Sequence, residues 1–118
     1  MYKIIYYRDR RGNQPVLDYI RELEKHTDKD RRVKAAKIWS YIDVLLRKGK
    51  LAGEPFIKHI EGEIWELRPA SDRLLFAAWE GATLIILTHF IKTTPKTPRN
   101  EIDRAKRTLA DFRRRLGK

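Results

Sequence analysis

The chain has no cysteine. Disulfide staples, thiol nucleophiles and thiolate metal sites are therefore excluded. Long apolar runs are missing too. No stretch approaches the about 20 residues that a membrane-spanning helix needs. The opening Met1-Tyr-Lys-Ile-Ile-Tyr-Tyr7 is broken by Arg8, too early for a secretory leader, so a cytoplasmic protein with no membrane partner is expected. Six glycines and five prolines in 118 residues form no low-complexity linker, and no internal repeat is visible. Acidic residues are scarce: 16 stand against 27 Lys and Arg, a formal net charge of +11. No nucleotide-binding loop, metal-ligand spacing or Ser-His-Asp arrangement stands out, so neither metal nor cofactor is expected.

What is present is one basic domain. The length fits a single compact unit with its own core. Residues 92–118 hold ten Lys or Arg against three acids, and residues 25–50 hold nine against three, while residues 51–91 are net acidic. Basic blocks of this kind attract polyanions through counterion release, which makes nucleic acid the expected partner. Lys34, Lys37, Lys96, Arg99, Arg104 and Arg107 are the candidate nucleic-acid contacts.

Tyr2 to Tyr7 is aromatic and β-branched and predicts a strand. Pro15 then opens a helix, with Val16, Ile20 and Leu23 at helical spacing. After a break at residues 25–28, a second helix is predicted from about Asp30 to Lys48. Its stripe is Ala35, Ile38, Ile42 and Leu45, and Gly49 supplies the stop. Helices joined this closely form a hairpin. Residues 51–63 read mostly as loop, with room for a short strand at Phe56–Ile60. Three apolar runs near residues 63–69, 73–80 and 83–91 follow, divided by short polar turns that imply antiparallel neighbours. Thr97 as N-cap and Pro98 in the first turn predict a last helix with the stripe Ile102, Ala105, Leu109, Phe112 and Leu116. The expectation is an α+β domain in the order β-α-α-β-β-β-α: an antiparallel sheet with an N-terminal helical hairpin and a C-terminal helix.

The strands begin or end in cations. Arg68 closes one run and Arg73 opens the next, and guanidinium groups make planar, bidentate contacts to phosphate. His89 and Lys92 end the third run three residues apart. In a regular strand that offset sends them to opposite faces, so a bulge or an early strand end would be needed to unite them. Metal-free RNA cleavage needs a base for the 2′-hydroxyl, an acid for the leaving 5′-oxygen and cations for the phosphorane. Lys58, Arg68, Arg73, His89 and Lys92 supply that set, His89 as acid or base. The bland alternative is that Arg68 pairs with Glu66 or Glu80 and His89 merely closes a strand. His26 and His59 read as ordinary surface histidines, and Trp39 and Trp65 as core.

Three segments taken in order carry a resemblance: Gly62-Glu-Ile-Trp-Glu-Leu-Arg68, then Arg73, then Leu87-Thr-His-Phe-Ile-Lys92-Thr-Thr-Pro-Lys-Thr-Pro98 with Glu101, Ile102 and Ala105. They resemble toxins of the RelE/ParE superfamily, nearest to the HigB-like, phage-derived branch of type II toxin–antitoxin systems. The resemblance implies a RelE-like fold whose concave sheet face is the active site. It implies a ribosome-dependent mRNA endonuclease (an mRNA interferase) that inhibits translation without a metal. It also implies a cognate helix-turn-helix antitoxin (HigA-like) and a toxin–antitoxin hetero-oligomer. By position Arg73 matches the family's phosphate-stabilising arginine, and Arg68 its neighbour on the preceding strand. Lys92 falls in the basic segment after the last strand, and His89 near the scissile phosphate. Two departures stand out. RelE proper has a lysine where this chain has Glu66, and a tyrosine in its C-terminal segment, whereas no tyrosine follows Tyr41 here. They keep open a ParE-like inhibitor of DNA gyrase without catalysis, or a non-toxic basic RNA-binding domain.

Overall fold

A computed structural model describes residues 1–116. In chain order the elements are β1 (Lys3–Tyr6), α1 (Pro15–Lys25), α2 (Lys29–Lys48), a 3-10 turn at Gly49–Ala52, β2 (Ile57–Glu61), β3 (Ile64–Leu67), β4 (Asp72–Ala78), β5 (Thr83–Ile91) and α3 (Arg99–Arg115). The domain is α+β, as the periodicities predict. The sheet departs from expectation in two ways. It has five strands in the order β1-β5-β4-β3-β2, and it is mixed, because β1 runs parallel to β5. The remaining neighbours are antiparallel. A parallel pair needs a long crossover, and everything from α1 to β4 provides it. The fifth strand is β2, the short strand for which Phe56–Ile60 left room. Ile57 is buried there while Lys58 and His59 are both exposed, so no period of two marks the strand between Pro55 and Gly62.

The helix ends show which local signals prevailed. Asp28 caps α2, its carboxylate accepting the Asp30 amide at 2.9 Å. Gly49 closes the same helix by donating its amide to the Leu45 carbonyl. α3 differs from expectation, since Pro98 occupies the cap position and no side chain caps the helix. The Thr97 hydroxyl instead donates to Glu66 Oε2 at 2.7 Å. A buried carboxylate left without a donor costs more than first-turn amide N–H groups that water can accept from, so the Thr97 side chain turns to Glu66. Leu116 is 49% exposed, so the apolar stripe of α3 stops short of it.

Helices cover both faces of the sheet. Val16, Ile20, Ile38 and Leu45 of the α1–α2 hairpin pack on Leu67, Leu74, Phe76 and Ile86. Ala105 and Leu109 of α3 pack on Ile64, Leu75, Ala77, Ile85, Leu87 and Phe90 on the other side. Central strands buried on both faces read as continuous apolar runs, as Leu84–Leu87 does. Side-chain parity then decides which helices a residue meets, and a bulge in β5 resets it. Leu75 pairs with Thr88 but Phe76 pairs with Ile86, so Leu87 is left over. Beyond the bulge His89 lies opposite Leu74 on the hairpin face, and Phe90 lies opposite Arg73 on the α3 face. Among the described residues no helix is long and apolar enough to cross a membrane.

Candidate active site

At one end of the sheet β3 stops, β4 starts and β5 runs out, so three strand ends present side chains together. Glu66 and Arg68 are two residues apart and leave β3 on the same side. Glu66 pairs across the sheet with Leu75, which packs under α3. Lys58 of β2 lies directly opposite Glu66. Arg73 of β4 pairs with Phe90, again on the α3 side. Lys92 follows β5, its amide held by the Ser71 carbonyl at 2.8 Å. The register therefore gathers Lys58, Arg68, Arg73 and Lys92 on the α3 face around Glu66.

Charge is strongly organised in this group. Glu66 is 1% exposed, with Oε1 3.5 Å from Arg68 Nε and 3.6 Å from Arg73 Nε. The alternative pairing of Arg68 with Glu66 is thus what forms, and Arg73 shares the carboxylate. Arg68 Nη1 also lies 3.6 Å from exposed Glu54. Arg73 is buried and donates Nη1 to the carbonyls of Ala70 and Asp72, at 2.6 and 2.8 Å. Burial pushes its guanidinium below the usual arginine range, against the pull of Glu66. Lys92 is likewise lowered, by desolvation first and then by the positive charges of Arg73, Arg68 and Lys58, with only Glu66 opposing. An ammonium destabilised by its neighbours marks an excess of positive charge that a phosphate would relieve. Lys58, Lys92, Lys96, Thr97 and Glu66 line an open pocket of about 270 Å³ beside it.

His89 is not in this group. Its Nε2 lies 2.8 Å from Asp72 Oδ1, and its ring stacks on Tyr19 at 3.8 Å between centroids. Tyr19 donates its hydroxyl to the same Oδ1 at 2.8 Å, and Lys34 Nζ lies 3.5 Å from it. Asp72 is fully buried. Desolvation would raise its carboxyl, but the bonds from His89 and Tyr19 and the Lys34 charge hold it below the usual range. The expectation that His89 joins Arg73 at one phosphate is corrected by the bulge, which precedes both His89 and Lys92 and so leaves their opposite parity intact. Lys34, expected at nucleic acid, is drawn instead onto Asp72. Neither Asp72 nor Tyr19 stands out in the sequence. Tyr19 sits between Val16 and Leu23 at helical spacing, which was its available signal.

The other predicted contacts divide. Arg99 forks onto Glu61 at 2.8 Å and reaches Asp103 at 3.0 Å. Arg104 donates to Glu101 at 2.6 Å and to the His89 carbonyl at 2.8 Å. These two arginines are spent internally. Lys37, Lys96 and Arg107 are exposed and make no ion pair among the described residues. Lys37 Nζ only covers the Tyr41 ring, 5.3 Å from its centroid. A separate hollow of about 290 Å³ lies at the open edge of β5, lined by Tyr7, Val16, Thr88, His89, Arg104 and Thr108. His59 lies against Trp65 and shares a hydrogen bond with the Gly62 carbonyl. No curated protein matches the chain. Residues 16–110 match the family model for phage-derived Gp49-like proteins (DUF891), a span that runs from the second residue of α1 through α2 and β2 to β5 into most of α3, and the chain belongs to that family.

Proposed function

We propose that the chain is the toxin of a type II toxin–antitoxin system, a RelE-like and HigB-like endoribonuclease that cuts mRNA on the ribosome. The observation that carries this reading is the gathering of Lys58, Arg68, Arg73 and Lys92 on one face, where three strand ends meet. Phage-derived family membership and the segments that resemble HigB-like toxins support it. Arg73 through Nη2 and Arg68 through its Nη nitrogens bind the scissile phosphate, and Lys58 adds charge. The 2′-oxygen attacks phosphorus and loses its proton to water. The bond to the 5′-oxygen breaks, and Lys92 supplies the proton that oxygen needs. The products are a 2′,3′-cyclic phosphate and a 5′-hydroxyl. Cations fixed around the developing phosphorane supply most of the acceleration, since they need no reorganisation as the charge grows. His89, on the hairpin face, is not assigned a proton in this step.

The exposed Lys37, Lys96 and Arg107 dock on ribosomal RNA, whose recognition rests on backbone and shape. The cognate partner is a helix-turn-helix antitoxin that covers the cationic face in a hetero-oligomer and so blocks the phosphate. Induced expression should halt growth and leave cuts in translated mRNA, mapped by primer extension. Arg73→Ala should lower cleavage by about a hundredfold, the scale of losing one oriented donor to a developing charge. Growth arrest with intact mRNA and loss of plasmid supercoiling would replace the nuclease with a gyrase inhibitor.

A further inference from the structure

A carboxylate in the middle of a cationic cluster works against anion binding. Glu66 holds that place at 1% exposure. Burying its charge is costly, and the two guanidinium groups have to offset that cost. Its oxygens have separate roles. Oε2 accepts the Thr97 hydroxyl and so ties the segment before α3 to β3. Oε1 faces Arg68 Nε and Arg73 Nε at 3.5 and 3.6 Å, and none of these three buried atoms has a hydrogen-bond partner among the described residues. Both arginines thus turn the Nε side to the carboxylate as ion pairs without a hydrogen bond. Arg73 also commits Nη1 to two carbonyls of the β3–β4 turn. Among the described residues Arg73 Nε meets only the Glu66 charge, without a hydrogen bond, and Nη2 has no protein acceptor.

We propose that Glu66 is a positioning residue: it aims the guanidinium groups of Arg68 and Arg73 at the phosphate and, through its charge, limits how tightly the cluster holds uncleaved RNA. The proposal rests on the reading of this cluster as an RNA-cleaving site. Guanidinium groups free to turn would grip a resting phosphodiester in many geometries, and uniform binding of that kind adds nothing to turnover. Donors held in one direction act where charge develops. The charge of Glu66 weakens the resting complex, and its geometry serves the transition state.

Glu66→Gln separates the two effects, because the amide keeps an acceptor for Thr97 and loses the charge. The binding probe is a 2′-O-methyl RNA hexamer, which lacks the 2′ proton and cannot be cut. Calorimetry should show Glu66→Gln binding it about fivefold tighter, the effect of one screened charge within the site. Its saturating single-turnover cleavage should fall about tenfold, the effect of lost aim. The alkaline limb of the rate–pH profile should move to lower pH, because Lys92 loses the anion that supports its charged form. Thr97→Val keeps the charge and frees Oε2, so it should slow cleavage without tightening the probe. Weaker or unchanged probe binding in Glu66→Gln, an unmoved limb, or equal tightening in Thr97→Val would each overturn the proposal. If the unaltered chain cuts no mRNA, the nuclease reading falls, and the hexamer titrations alone decide whether Glu66 limits the affinity of the cluster.

Discussion

Lys92 gives up its proton more readily than an ordinary lysine, because it is partly desolvated and stands among Arg73, Arg68 and Lys58. Its ammonium is the acid of the proposed step, so cleavage should fall on the alkaline side with a midpoint below the usual 10.5. Arg68→Gln removes one repelling charge and should move that limb upward while weakening RNA binding, both read from single-turnover rates against pH. Asp72 makes a different prediction. Its carboxyl takes up a proton at lower pH folded than unfolded, so its stabilisation is complete above the ordinary value of 3.8 and is lost as pH falls through the lower folded value. Asp72→Ala strands His89, Tyr19 and Lys34 and should cost about 3 kcal/mol in urea denaturation at neutral pH. At this scale the cations were legible, since strand ends that carry Arg and Lys are visible in the letters. Glu66 and Arg68 sharing a face was legible too, from a spacing of two. The isolation of His89 from Arg73 was not: parity past residue 87 depends on a bulge, and an unbroken Leu84-Ile-Ile-Leu87 has no glycine to mark one.

Elements were easier to read than their pairing. α1, α2 and α3 follow from apolar periods that remain local, whereas the parallel docking of β1 beside β5 joins residues some eighty positions apart and leaves no local trace. That docking depends on the end of α2. The Tyr2 amide donates to the Leu46 carbonyl at 2.8 Å, and the Tyr2 ring lies over Gly49. Gly49 has φ of 56°, and a Cβ there would come within 2.4 Å of the Tyr2 ring. Gly49→Ala therefore meets backbone strain and a clash at once and should cost about 3 kcal/mol. Gly81→Ala, at φ of 57° in the β4–β5 turn with open space around it, meets only the strain and should cost about 1 kcal/mol. Thermal unfolding of the two variants, measured side by side, checks the difference. A smaller loss at Gly49 than at Gly81 would show that β1 does not lean on the end of α2.

Across the whole molecule the net charge of +11 overstates what nucleic acid would meet. Much of the α3 charge is returned to the sheet: Arg99 and Lys106 hold Glu61, and Arg113 holds Glu63. These pairs staple α3 to β2 and the turn after it. Composition counts all of these cations alike, which is why Arg99 looked like an RNA contact before its partner was visible. The distinction is measurable. Glu61 is brought down to about 2 by Arg99 first and Lys106 second, against an ordinary 4.5. As pH falls the unfolded chain takes its proton before the folded one, so the staple is complete above 4.5 and gone by about 2. Arg99→Gln should flatten the loss of stability with acid across that window and leave RNA affinity near the unaltered value. Lys37→Gln combined with Arg107→Gln should do the reverse. It should preserve the acid profile while reducing the slope of log affinity against log salt by up to about two, one for each phosphate no longer neutralised. Urea midpoints at pH 2.5 and pH 6, with ribosome binding across a salt series, separate the two variants. Equal loss of ribosome binding in both would mean that Arg99 leaves Glu61 to hold RNA, and that the staple opens on docking.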